Sequence, residues 1–433
     1  MPLHPKSDRR PRPKLHPPRR ERAQKRTREP GRLMSYLTML FFFCAFVLLF
    51  LKDLAWQGFA LALLVPALLA LGINLLPRLF PADRLLLSLA NFLCALGVLV
   101  LYATSPTLAY RQAAYYGVGL VAMVLCIYMV RVVRSWRLPV LLLYPVSLGL
   151  LALPLVIGRE TNGATNWIYL GGLSFQPSEM VKISLLIIIS YAMTRRRMLL
   201  WLTFSVICLA LLMLQKDLGT ALLYYGVTLM LFYASSGNLA LTGLGLAGGA
   251  GAAVMGYRMF AHVKRRVAVW LNPWADYNSA GYQIVQGLMA LASGGLFGMG
   301  LGLGSPRSIP VYETDFIFAV ICEQFGLVFG MSVLAMYVAL IWRGATIAMQ
   351  ARRSFHGLLA MGATLMLGLQ TFVIIGGVIK LIPLTGVTMP FVSSGGSSLL
   401  SSMCLIGLMQ GVDSLNDDDL DEDARLAGLG RKH

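Results

Sequence analysis

Ionisable side chains at the edges of long apolar runs are the residues of this sequence best able to do chemistry. A charge in apolar surroundings is costly unless paired, so such groups are functional candidates by default. Asp315 opens one run, in Glu313-Thr314-Asp315-Phe316-Ile317-Phe318. Its simpler role there is a helix N-cap, which suits Asp or Thr at a helix start. Glu323 follows eight residues later, about 12 Å down a helix, and needs a partner of its own. Glu179 and Lys182 follow Gln176-Pro177-Ser178, where Pro177 ends an extended approach and Ser178 can cap. Their i,i+3 spacing sets them on one helix face, either as a structural ion pair or facing a substrate. Asp217 begins Asp217-Leu218-Gly219-Thr220, again most simply as a cap. Lys380 and Arg111 sit just past apolar helix ends, where a long side chain can snorkel to water. Acids and cations gathered at one membrane face suit an enzyme on a lipid-linked anionic substrate, or a transporter.

The elements that must position these residues are membrane spans. The chain has 433 residues, 57% hydrophobic and 13% charged, with mean hydropathy +0.69, against roughly 25% charged in soluble domains. A span needs about 20 mostly apolar residues. Twelve stretches qualify: 34–51, 55–76, 85–104, 112–130, 138–157, 178–193, 198–214, 218–234, 239–259, 316–342, 356–378 and 396–411. The net charge of +18 is concentrated in residues 1–32, which hold twelve Lys or Arg and three acids. That Pro- and Arg-rich stretch cannot build a core and is expected to be a disordered cytoplasmic tail held near anionic lipid, rather than a nucleic-acid arm. With it inside, Arg78, Arg84, Arg131, Arg134, Arg137, Arg195–Arg197, Arg343, Arg352 and Arg353 all fall in cytoplasmic loops, as the positive-inside rule requires. Both termini are then cytoplasmic, and residues 158–177, 260–315 and 380–395 are external. The acids Asp417, Asp418, Asp419, Asp421, Glu422 and Asp423 read as a solvated tail.

Cys44, Cys94, Cys126, Cys208, Cys322 and Cys404 lie in apolar runs with no CxxC pair, so they read as small core residues. The run from Ser293 to Gly304 only superficially resembles a nucleotide-binding loop. Its glycines suit close backbone packing in an external or re-entrant loop. Pro390 to Ser397 reads as irregular backbone tolerated because it lines a polar cavity. Metalloprotease, P-loop, nucleophile-elbow and Cys/His patterns are absent from the sequence, so no metal site or cofactor is expected, and a divalent-cation requirement stays open.

Four motifs in order carry a resemblance. Gly163-Ala164-Thr165-Asn166-Trp167-Ile168 with Phe175-Gln176-Pro177-Ser178-Glu179-Met180-Val181-Lys182 is the first. Gln215-Lys216-Asp217-Leu218-Gly219-Thr220-Ala221 is the second. Gly281-Tyr282-Gln283 through Thr314-Asp315-Phe316-Ile317-Phe318-Ala319 is the third, and Pro390-Phe391-Val392-Ser393-Ser394-Gly395-Gly396-Ser397 the last. Together they resemble the SEDS family (shape, elongation, division and sporulation), the RodA and FtsW proteins. This sequence departs from the family pattern at Asn166, where Arg is usual, and at Lys216, where Pro is usual. Val311 and Glu313 stand where many members have Glu and His, and Ser394 replaces a frequent Tyr.

The resemblance implies an all-α, polytopic membrane protein with a ten-span core over 85–411, including the large external loop 260–315. Residues 33–84 would be an added N-terminal hairpin, and 412–433 a charged cytoplasmic tail. It implies a peptidoglycan glycosyltransferase in the bacterial cytoplasmic membrane. The enzyme would polymerise lipid II outside the membrane, during elongation, division or sporulation, beside a class B penicillin-binding protein. Asp315 would be the general base of a single inverting displacement. Arg111, Lys264, Arg266 and Lys380 would hold the departing diphosphate, and Glu179 and Lys182 would form a polar pair in the central cavity. Gln283, Ser393 and Ser394 would contact substrate. The alternatives are a lipid II flippase, a ligase for other lipid-linked glycans, and a non-catalytic scaffold for the transpeptidase.

Overall fold

The structure is a computed structural model that describes residues 31–429 apart from 162, 171–172 and 280. The expected basic tail lies outside the described residues except for its last two, Gly31 and Arg32, which begin the first helix. Each of the twelve apolar stretches falls on one helix. Eleven are long and apolar enough to cross a membrane, and the twelfth, Met198–Leu214, is shorter. The protein is thus a multi-pass helical membrane protein, and its outward surface carries large apolar side chains such as Leu141, Leu199, Leu244 and Trp342.

The helices are α1 (Gly31–Asp53), α2 (Trp56–Ala70), α3 (Arg84–Thr104), α4 (Pro106–Val132), α5 (Arg137–Ile157), α6 (Pro177–Thr194), α7 (Met198–Leu214), α8 (Leu218–Ser236), α9 (Leu239–Met259), α10 (Ala261–Leu271), α11 (Tyr282–Ser293), α12 (Ile317–Gln350), α13 (Ser354–Val378) and α14 (Gly396–Leu429). Their starts follow from local chemistry. Asp83 caps α3 through the Leu86 amide, Asn238 caps α9 through the Leu241 amide, and Pro106 and Pro177 occupy first-turn positions. Helices α3, α6 and α14 form the buried interior, while α9 is almost wholly outward-facing. The α1–α2 hairpin rests on α3 through Phe41 and Phe42 against Phe92 and Phe46 against Tyr102.

Two segments between spans have their own architecture. Residues 159–175 form a three-stranded antiparallel sheet, β1 (Arg159–Thr161), β2 (Ala164–Leu170) and β3 (Leu173–Phe175), in the order β1-β2-β3. The segment 260–315 is ordered by α10 and α11 and then folds back as a glycine loop. Inside α12, Gly326 adopts φ 86°, ψ 169°, which breaks the helical ladder. The glycine loop takes up the freed groups. The Met299 and Gly300 amides donate to the Glu323 and Gln324 carbonyls, and the Leu327 and Val328 amides donate to Gly295 and Leu296. A Cβ at Gly294, Gly298 or Gly326 would lie 2.1–2.3 Å from facing backbone atoms, so only glycine permits this approach. The Glu323 Oε1 accepts the Ser305 amide at 2.9 Å, while its Oε2 is buried with no hydrogen-bond partner among the described residues.

At the opposite end of the bundle from the sheet, Asp83 pairs with Arg343 at 2.6 Å and Arg131 with Asp418 at 3.1 Å. The stretch expected as a charged cytoplasmic tail from 412 continues α14, with Val412, Asp413 and Ser414 buried and Asp417, Asp418 and Asp419 partly exposed. A helix already packed along α4 simply runs on past the span. The side chains of Asp421, Glu422 and Asp423 lie outside the described residues.

Candidate active site

Asp315 is set by three segments. A 3₁₀ turn, Pro306–Ser308, leads into a left-handed residue, Val311 (φ 56°). The Thr314 and Asp315 amides both donate to the Val311 carbonyl at 3.2 Å. Phe316 is fully buried against Gly287 of α11, where no larger residue fits. The loop before α14 braces the same stretch. The Ser394 amide donates to the Glu313 carbonyl at 2.8 Å, and the Ser393 hydroxyl donates to the Thr314 carbonyl while accepting the Met389 amide. The Gln112 amide group of α4 holds the Ser393 carbonyl at 3.0 Å.

The simpler reading of Asp315 as a helix cap does not hold. Phe316 occupies the N-cap position of α12, and no side chain caps its first amides. The Asp315 carboxylate turns instead toward a cavity of about 910 Å³, where Arg266 of α10 also faces inward. Both groups flank Gly386 (φ 77°). A Cβ there would be 3.7 Å from the Asp315 Oδ2 and 4.0 Å from an Arg266 amine nitrogen. The Arg266 guanidinium is steadied by donating to the Thr385 carbonyl at 2.9 Å. Burial raises the Asp315 pKa from its usual 3.8 to about 6; a hydrogen bond from Thr314 and the charge of Arg266 oppose that rise, and Glu313 adds to it. An acid in this range is ionised near neutrality yet still able to accept a proton.

Two other acids of the cavity lining, Glu179 and Asp217, are engaged. The Lys182 Nζ lies 2.6 Å from the Glu179 Oε2 and donates to the Gln370 Oε1 at 2.9 Å. Glu179 also accepts the Ser401 hydroxyl at 2.6 Å, so α6, α13 and α14 meet at this pair. Glu179 reaches the cavity; Lys182 does not line it. Ser178, expected as the α6 cap, lies inside the helix, because Pro177 takes the first position and Gln176 the N-cap. Asp217 does cap α8, accepting the Thr220 amide at 3.1 Å. It also accepts from Asn166 at 2.8 Å and Gln176 at 3.2 Å, which ties the sheet to the helices.

The expected site residues separate into two groups. Arg111, Arg266, Glu179, Asp315 and Ser394 line the cavity. Arg111 is exposed there on α4. Lys264, Lys380, Gln283 and Ser393 stand outside its lining. Lys264 is exposed elsewhere on α10. Lys380 (φ 61°) fastens to that helix, its Nζ donating to the Leu271 carbonyl at 3.4 Å and its carbonyl accepting the Trp270 indole at 3.1 Å. Gln283 donates to the Pro310 carbonyl at 3.1 Å, which braces the approach to Asp315. Lys216, Trp167 and Tyr169 also line the cavity, and sequence reasoning had not selected them as site residues. The signal for Lys216 was its place beside the Asp217 cap. For the two aromatics it was their i,i+2 spacing on one strand.

Comparison with known proteins gives this arrangement its context. The family of cell cycle proteins typified by FtsW, RodA and SpoVE matches residues 83–417. The peptidoglycan glycosyltransferase RodA of Mycobacterium tuberculosis (strain ATCC 25618 / H37Rv) is 40% identical over 270 residues, 58% of each chain, so this chain matches little more than half the length of that relative. Stage V sporulation protein E of Bacillus subtilis (strain 168) is 32% identical over 362 residues, 76% of this chain and 96% of that one. Among solved structures, a chain from a peptidoglycan synthase complex that coordinates polymerization and crosslinking superposes with TM-score 0.65 at 29% identity, covering 78% of this chain and 98% of that one.

Proposed function

We propose that this chain, which belongs to the FtsW, RodA and SpoVE family, is a peptidoglycan glycosyltransferase that polymerises lipid II at the outer face of the bacterial cytoplasmic membrane. The observation that carries this reading is the juxtaposition of the Asp315 carboxylate and the Arg266 guanidinium across Gly386, on one wall of a cavity large enough for a substrate. The acceptor sugar hydroxyl must lose a proton as it attacks the anomeric carbon, and Asp315 is the group placed to accept it. The bond from that carbon to the lipid diphosphate breaks in the same step, and charge grows on the leaving oxygen. Arg266 and Arg111, both at the cavity lining, supply positive charge for it. An α-linked donor then gives a β-linked product in one displacement, with no covalent enzyme intermediate.

The basic residues at the end of the bundle opposite this cavity support an outward-facing site with both termini in the cytoplasm. A crosslinking partner, a class B penicillin-binding protein, is expected by analogy with the synthase complex. Lipid II, purified protein and detergent, with and without a cognate transpeptidase, test the reading. Polymeric glycan on a gel is the expected product. No polymer under any partner condition, together with movement of labelled lipid II across proteoliposomes, would make the protein a flippase instead.

A further inference from the structure

The proposed chemistry uses charged residues of the cavity lining and leaves the aromatic residues that strand β2 contributes to it without a role. Trp167 and Tyr169 both line the cavity. They are two residues apart on one strand, so they share a face at about 6.6 Å spacing. Ile168 between them points the opposite way and is 3% exposed. Trp167 is half-buried and Tyr169 is 46% exposed, so each keeps aromatic surface for a ligand. The strand is fastened on every side. Tyr169 registers with Ser174 of β3 and Trp167 with Arg159 of β1. The Thr165 amide donates to the Gln215 carbonyl at 3.0 Å, and Asn166 donates to Asp217. A sheet held in this way presents its aromatics at a fixed distance from Arg266 and Asp315.

We infer that Trp167 and Tyr169 form a stacking platform for the pyranose rings of the glycan, the apolar counterpart of the diphosphate-binding wall. This inference rests on the glycosyltransferase reading. A β-linked hexosamine with equatorial substituents turns the axial C–H groups of C1, C3 and C5 to one face, which is flat and free of hydroxyls. That face is weakly positive and apolar, and it complements the negative face of an indole or phenol ring. A rigid aromatic pair has little rotamer freedom to lose when a sugar docks, which suits repeated capture of a strand that must slide by one unit per cycle. The rival role for Trp and Tyr near a span end is anchoring in the lipid headgroup layer. Their place in the same cavity lining as Arg266 and Asp315 favours sugar.

The test compares wild type with Trp167→Leu, Tyr169→Leu, Trp167→Phe and Tyr169→Phe at matched melting temperature. Because Tyr169 is the more exposed, its variants remain informative if Trp167→Leu fails to fold. Each Leu variant should raise the KM for lipid II about five- to tenfold and shorten the strands, with kcat changed less than about threefold, and each Phe variant should stay near wild type. Wild-type KM and strand length in both Leu variants would overturn the platform and leave lipid anchoring. So would Phe variants as impaired as Leu variants. Calorimetric titration with a soluble β-linked N-acetylhexosamine tetramer separates this inference from the enzymatic reading, since it needs no turnover. Binding by wild type that is lost in the Leu variants supports the platform even if no polymer forms. Equal binding, or none by any protein, removes it.

Discussion

Two of the carboxylates that line the cavity, Glu179 and Asp315, are held in opposite ways. Glu179 is 4% exposed, in contact with Lys182 and the Ser401 hydroxyl, at the meeting of three helices. Asp315 sits in a loop that other residues brace through its backbone, while its carboxylate faces the open space beside Arg266. The first charge is consumed by structure, because its partners are fixed. The second is kept available by a surrounding scaffold of backbone hydrogen bonds. Burial without a tight ion pair raises its proton affinity, which a base requires and a strut does not. A polar residue in a membrane protein is therefore read less by its presence than by what its neighbours leave unsatisfied.

Substitutions at each acid and its neighbours test this contrast. The largest effect is expected on folding at the paired acid. Glu179→Ala strands the Lys182 ammonium in the interior, at a cost of about 3–5 kcal/mol, with a steep loss of melting temperature in detergent. Asp315→Asn should leave the melting temperature unchanged. Equal melting of the two variants would erase the distinction between strut and base. Next comes Arg266→Ala, which removes the guanidinium that flanks Gly386 together with Asp315. Polymerisation should fall about 10²-fold, with Arg266→Lys partly restoring it; a wild-type rate would move the diphosphate away from this wall. The acid limb of the rate profile comes third. The Asp315 pKa is raised above its usual value, so the basic form is present above about 6 and is lost as pH falls, roughly tenfold per unit below it. A flat profile from pH 8 to pH 5 would deny Asp315 the role of base. The smallest effect is expected at Lys264, exposed outside the cavity lining. Lys264→Ala should change stability by less than about 0.5 kcal/mol and leave the rate intact.

Much of this contrast was visible in the residues themselves, and some could not be. Each apolar stretch carries its own signal in length and composition, so every expected span falls on a helix. The i,i+3 spacing of Glu179 and Lys182 dictates their pairing on a helix, and the structure makes them a contact. The Asp217 cap was equally local. Long-range arrangements were not legible. Nothing in Gly326 alone announces a broken helix, because the break exists only with Gly294–Met299 folded against it. Asp315 reads locally as a cap, and only the Ser393 and Ser394 braces from about eighty residues further on turn it to the cavity. Lys264 and Arg266 were indistinguishable in sequence, two basic residues on one short helix. Their angular separation of about 200° sends one to the cavity and leaves the other exposed outside its lining. The cavity role of β2 was hidden because short strands in a connecting segment carry little periodicity.

The Asp315 carboxylate is the group proposed to take the proton of the acceptor hydroxyl. The most direct test is the initial rate of glycan polymerisation by purified Asp315→Asn against wild type, with equal folded protein, saturating lipid II and the same transpeptidase partner. The amide keeps the size of the side chain and cannot take up a proton, so a loss of about 10²–10⁴-fold is expected. A rate within a few-fold of wild type would contradict the account and place the base elsewhere in the cavity.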